Sequence, residues 1–232
     1  MNKRRAIISL GTNDYNRGRE RLRSSLQINE NYAGDIFLYS EEHEVSSPSH
    51  KENPYAFKIY AFETIKNLGY NQILWVDCSV WAIKSITPIF DIISQDGYIC
   101  QEAGHHVGTW TNDMALEYFG LSRDEAMSIM MYGNAGFLGL DFDTPIANEF
   151  FNQWKQSMLD GMFKGEWTNT NKTESQDARC LGHRHDMSCG SIIRHRLGMK
   201  LQSGMNYLQY IDDFNRTPHN DSVCFFAQGL RG

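Results

Sequence analysis

The sequence predicts an α/β fold: a single domain spanning residues 1–232, with a mainly parallel central sheet flanked by helices. Three observations point there. The length of 232 residues suits one α/β domain with a substantial core. Short apolar runs alternate with helical patterns in the first half, as in parallel sheets covered on both faces. No internal repeat or low-complexity linker divides the chain.

The elements follow in order. Ala6 to Leu10 is a short apolar strand ended by Gly11-Thr-Asn-Asp, followed by Leu22 and Leu26 at helical spacing. Asp35 to Tyr39 is a second strand. Asn53-Pro54 suits a helix start, because Asn caps and Pro fits the first turn. The helix runs from Tyr55 to Leu68, with Phe57, Ala61, Ile65 and Leu68 on one stripe and Gly69 as its stop. Gln72 to Val76 is a third strand running directly into Asp77-Cys-Ser79; apolar residues resume from Val80 to Ile83. Thr87-Pro88 opens a short helix to Ile93, and Gly97 to Cys100 is another strand.

Thr111–Phe119 and Ser122–Met131 read as two helices divided by Gly120, the second opened by the capping-box pattern Ser122-Arg-Asp-Glu125. Met127, Met130 and Met131 then read as helix core filling. Ala135 to Leu140 is a glycine-rich strand, and Thr144 to Leu159 a long amphipathic helix with Ile146, Phe150, Trp154 and Met158 on one face. Residues 160–180 are polar and the least structured stretch. Asp186, a favoured N-cap, opens a helix to Leu197, and Ser222 to Phe226 is a last strand.

Composition narrows the function classes. Apolar residues make up 41% and charged residues 22%, which are globular values. Lys and Arg total 22 against 28 Asp and Glu, a net charge of −6, so a dedicated nucleic-acid binder is disfavoured. No apolar run is long enough to predict a transmembrane helix. The four apolar residues after Lys3-Arg4-Arg5, interrupted by Ser9, are too few for a secretory core, so a cytoplasmic location is expected. The five cysteines are scattered, without a CxxC, which predicts neither a disulfide framework nor a structural zinc site.

The segment richest in chemistry is Tyr70 to Ala82. An acid, Asp77, follows a buried strand, and Ser79 stands two residues on, the spacing that shares a side in an extended chain. Together they could offer oxygen ligands to a hard divalent cation, Mn²⁺ or Mg²⁺, bridging to a diphosphate. Asp77 capping a turn is the other reading. His183, His185 and Asp186 form a second cluster; their spacing is a poor match to the His-x-Asp pair of an oxygenase. His105-His106 reads as a Gly-flanked surface loop. Trp75, Trp81 and Trp154 lie in apolar patterns and read as core, whereas Trp110 and Trp167 have polar surroundings suited to an acceptor.

A hydrophobic strand ending in Asp77-Cys-Ser79, preceded by Pro54-Tyr-Ala-Phe-Lys58, resembles the nucleotide-sugar glycosyltransferases of the A-type fold, glycogenin-like members included. The order of further motifs is similar to theirs. Ala6 to Thr12 resembles the first nucleotide-binding strand and loop. Asn134-Ala-Gly136 resembles the turn lining the sugar pocket, His185-Asp186-Met187-Ser188 the turn opening a late helix, and Phe226 to Arg231 the closing segment. Ser79 stands in place of the second motif acid, and Gln228 nearest the closing histidine.

The resemblance implies transfer of a sugar from a nucleotide-diphosphate donor, a UDP-sugar by analogy, to an unidentified acceptor hydroxyl on a glycan, lipid, protein or small molecule. It implies donor contacts from Gly11, Thr12, Tyr15, Lys58, Asp77, Ser79, Asn134, Gly136, His185 and Arg231, with Asp77 and Ser79 as metal ligands. Asp186 and Glu102 are the catalytic carboxylate candidates. If the metal set is incomplete, Lys58, Arg184 and Arg231 are the cations available to the diphosphate. Two other classes fit less of the pattern: a non-catalytic nucleotide-sugar-binding protein and a nucleotidyltransferase on a related sheet.

Overall fold

The computed structural model describes residues 3–12, 15–28, 34–133, 136–212 and 215–228. Its main sheet has five strands in the order β2-β1-β3-β8-β5, where β1 is Arg5–Leu10, β2 Asp35–Tyr39, β3 Gln72–Trp75, β5 Tyr98–Cys100 and β8 Leu138–Asp141. β1 pairs in parallel with β2 and β3, and β8 runs antiparallel to both β3 and β5. Four of the five strands therefore share a direction, in line with the expected mainly parallel sheet. The intervening helices are α1 (Asn16–Ile28), α2 (Ala56–Asn67) and α3 (Thr87–Asp96); α6 (Pro145–Leu159) and α7 (Asp186–Arg196) follow the sheet.

Strand alternation sorts side chains to the two faces. Ala6, Ile8, Leu10, Ile73, Trp75, Leu138 and Leu140 pack on one face with Phe62 of α2, Trp154 of α6 and Ile193 of α7. Ile7, Leu74, Val76 and Ile99 pack on the other with Leu22 of α1 and Ile93 of α3. A three-stranded sheet adds to that second layer: β4 (Val80–Ala82), β10 (Phe225–Ala227) and β9 (Leu208–Tyr210), in the order β4-β10-β9. All five cysteines are free thiols and buried. Among the described residues, no helix is long and apolar enough to cross a membrane.

Several local expectations change. Only Arg123–Ala126 of the predicted 122–131 helix is helical (α5, after α4 at Asp113–Tyr118), although the capping box at Ser122 does form. Met130–Tyr132 is instead a strand, β7, antiparallel to β6 at Glu102–His106. The run Ile-Met-Met-Tyr is apolar at every position and fits either period, so pairing decides it. The predicted His105-His106 loop is thus part of β6. The α2 helix starts after Tyr55, which adopts φ 60°, rather than on Asn53-Pro54. His185, not Asp186, is the N-cap of α7, and Asp186 is the first helical residue. Trp81 is only partly buried, under the Arg21 guanidinium at 3.9 Å.

The stretch from 160 to 185 lacks helix and strand, as expected, yet it is firmly tied. Asn169 is buried and its amide donates to Ser175 O and Cys180 O, while its oxygen accepts from Glu174 N. The Asn112 amide donates to Glu174 Oε2 at 2.9 Å. Buried amide and carboxylate groups that meet every partner replace regular structure here.

Candidate functional site

The carboxyl ends of adjacent parallel strands create the crevice. β1 is followed by Gly11 and Thr12, and β3 by Val76 and Asp77. A Cβ on Gly11 would overlap Cys78 Sγ, so only glycine lets the two strand ends meet. The antiparallel β8 brings its own start to the same edge: Trp75 pairs with Leu138, and continuing that register sets Gly136 opposite Asp77. Gly136 has φ +69°, and a Cβ there would overlap Asp77 Oδ1 and lie 2.8 Å from Trp75 Nε1.

Asp77 is half-buried. Its Oδ1 accepts the Trp75 indole N–H at 2.8 Å and lies 3.7 Å from Lys58 Nζ. The extended geometry expected for residues 77–79 is replaced by a turn, closed by Val80 N donating to Asp77 O at 3.0 Å. Asp77 and Ser79 still line a common cavity.

Lys58, on the first turn of α2, is buried with its ammonium 2.9 Å from Asp186 Oδ2. Burial alone would lower its pKa, but Asp186 and Asp77 together hold it above its ordinary value, so it remains an ammonium. Burial pushes the Asp186 carboxyl up, with Lys58 pulling the other way. The turn that delivers Asp186 is fixed at both ends. Trp154 Nε1 donates to Asp186 O at 2.9 Å, and His185 Nδ1 lies 2.8 Å from Phe163 O. His185 stacks on Tyr55 at 5.3 Å, and burial raises the Tyr55 phenol to about 12.

Two cavities meet at this group. The first, about 400 Å³, is lined by Gly11, Thr12, Tyr15, Asp77 and Ser79, and by Glu42 and His50 from the segment between β2 and α2. The second, about 370 Å³, is lined by Lys58, Asp77, Gly136, Arg184, Asp186 and His105. Tyr55, Asp77 and Tyr210 border both. Arg184 is clamped between Trp110 and Trp167, its carbon 3.5 and 3.7 Å from the two ring centres, and donates to Trp167 O at 2.6 Å. Partial burial lowers its pKa to about 10, which leaves it charged at neutral pH.

Of the residues singled out in the sequence, Gly11, Thr12, Tyr15, Lys58, Asp77, Ser79, Gly136 and Asp186 border these cavities, and His185 packs beside them. Glu102 does not join the group: its carboxylate accepts Gly204 N–H at 2.7 Å, and it lines neither cavity. Asn134 and Arg231 lie outside the described residues. His183 is spent on structure, accepting Asn112 N–H at Nδ1 and lying 3.0 Å from Met162 O at Nε2. Glu42 and His50 escaped sequence reading because Glu42 opens a single 3-10 turn, Glu42–Val45, too short to show a period, and His50 lies in the polar segment that follows. Their one signal was position, just past the carboxyl end of a strand.

The donor set suits a divalent cation poorly. Such an ion wants about six oxygen ligands, with carboxylates among them. Among the described residues no group of three or more His, Cys, Asp or Glu side chains could hold a metal. Ser79 offers a neutral hydroxyl and no carboxylate, and the Lys58 ammonium already lies beside the Asp77 oxygen a cation would need.

No protein-family model matches the chain, and neither does any curated protein. Solved structures do. Mouse xyloside xylosyltransferase 1, in its apo form, aligns over 97% of both chains with a TM-score of 0.53 and 11% identity. A glycosyltransferase involved in glycosylation of the major capsid of PBCV-1 aligns over 97% of this chain and 92% of its own, with a TM-score of 0.52 and 13% identity. The WbbM bifunctional glycosyltransferase gives 0.52 and 8% identity over 90% of this chain and 40% of its own. At such identities the likeness defines the fold: the chain has the α/β fold of these glycosyltransferases.

Proposed function

We propose that this protein is a glycosyltransferase that moves a hexose or pentose from a nucleoside-diphosphate sugar, a UDP-sugar by analogy, to an acceptor hydroxyl. The observation that carries the reading is the buried Lys58–Asp186 pair beside Asp77, at the junction of two adjoining cavities on the strand-end edge of the sheet. The nucleoside occupies the first cavity, against Gly11, Thr12 and Tyr15. The diphosphate crosses at Asp77, and the sugar enters the second cavity beside Asp186 and Gly136.

In the reaction the bond from the acceptor oxygen to the anomeric carbon forms and the bond from that carbon to the phosphate oxygen breaks. The phosphate keeps the electron pair, and the hydroxyl proton passes to the Asp186 carboxylate, whose raised pKa favours accepting it. The fixed cations of the site stabilise the charge that builds on the diphosphate.

The test is Asp186→Asn, which keeps the shape and removes the proton acceptor. Loss of transfer in a variant that still melts cooperatively and still binds UDP supports the assignment; full transfer activity in the variant overturns it.

A further inference from the structure

We propose that this chain supplies the counter-charge for the departing diphosphate from its own side chains, Lys58 and Arg184, in place of a bound divalent cation. The inference rests on the nucleotide-sugar reading above and deepens it.

Three observations carry it. Lys58 Nζ stands between the two acids of the site, 2.9 Å from Asp186 and 3.7 Å from Asp77. A cation bridging those acids would take that place, and a second cation beside the ammonium would be repelled by it. The acid pair of the motif is reduced to Asp77 and the neutral Ser79, and the Asp77 oxygen nearest Lys58 also accepts the Trp75 indole N–H. Arg184 lines the same cavity as Lys58 and is already immobilised by two indole faces and a carbonyl. A guanidinium has five N–H donors in a planar fork suited to phosphate oxygens. Held this way, it loses little freedom when an anion arrives.

Lys58 and Arg184 offset Asp77 and Asp186, so the pocket is formally neutral within a chain of net charge −6. An arriving diphosphate competes with Asp77 for Lys58, and the longer of the two ion-pair contacts is the one it displaces.

The experiment is calorimetric titration of the full chain with UDP, GDP and ADP, after EDTA treatment and again in excess MnCl₂. The expected result is a nucleoside diphosphate that binds with Kd values within about twofold in the two conditions, and about tenfold or more weaker in Lys58→Met and Arg184→Gln. Lys58→Arg, which keeps the charge, guards against a folding defect in Lys58→Met by retaining most of the affinity. Weakening of about tenfold or more by EDTA, restored by Mn²⁺, overturns the inference and leaves the transferase reading standing. Binding of no nucleoside diphosphate in either condition overturns both.

Discussion

Lys58 and Asp186, which lie 128 positions apart in sequence, form a buried ion pair whose nitrogen and oxygen are 2.9 Å apart. One comes from the first turn of α2 and the other from the first residue of α7, so the pair ties the N-terminal ends of two helices that are distant in sequence.

Removing one partner strands the other in a dry site. Lys58→Met should therefore destabilise the fold by about 3–5 kcal/mol, the usual cost of breaking a buried pair from one side. The double variant Lys58→Met with Asp186→Leu should recover most of that loss, since no orphaned charge remains. Denaturant unfolding of the two single variants and the double variant measures the coupling. Additive losses would mean that the pair is not energetically linked.

Gly136→Ala should be costly for two separate reasons. The residue holds φ +69°, and its Cβ would meet Asp77 and the Trp75 indole. Strain of this kind costs about 1–3 kcal/mol, and the shifted Asp77 should weaken nucleotide binding as well. A thermal melt reads the first effect and UDP titration the second. An alanine variant with unaltered binding would separate the glycine from the site.

Arg184→Ala should release Trp110 and Trp167 from their shared cation. Two such contacts at a partly exposed site are worth about 1–2 kcal/mol together. Acrylamide quenching of tryptophan fluorescence should rise, because Trp167 is already about half exposed. Unchanged quenching would show that other contacts hold the indoles.

His183 predicts a pH dependence of stability. Burial lowers its pKa from 6.5 to about 3, so above about pH 6.5 it is neutral in both the folded and unfolded chain and stability does not depend on it. As pH falls through the window from 6.5 to about 3, the unfolded chain takes up a proton that the folded chain refuses. Stability then drops by up to about 1.4 kcal/mol per pH unit. His183→Gln should flatten the wild-type decline between about pH 6 and pH 4. Parallel curves for the two proteins would refute the assignment.

The strands of the main sheet were legible because each is a short apolar run closed by a turn signal, as Asp35–Tyr39 and Gln72–Trp75 illustrate. So were Lys58, Asp77 and Gly136, which carry motif signals. The strand at Met130–Tyr132 was not, because an unbroken apolar run has no period to read and its partner, β6, contains Gly104 and two histidines. Nor could spacing reveal that His183 and His185 bond to carbonyls at Met162 and Phe163, since those partners lie about twenty residues upstream in a stretch without periodicity. Glu102 looked attractive because it follows a strand end, and its neighbour Ala103 does border the second cavity, but the Glu102 carboxylate turns instead to the Gly204 N–H.

Burial of all five cysteines has a practical consequence. Cys78 and Cys100 are both pushed up to about 12 by burial, so neither is a thiolate at neutral pH. A thiol reagent can reach these sulfurs only when the surrounding structure opens. Cys78 sits at the wall of the first cavity, Cys180 and Cys189 flank the turn carrying Asp186, and Cys100 and Cys224 lie in or beside strands. Their alkylation rates, resolved by peptide mass, would chart local opening across the whole molecule without any introduced label.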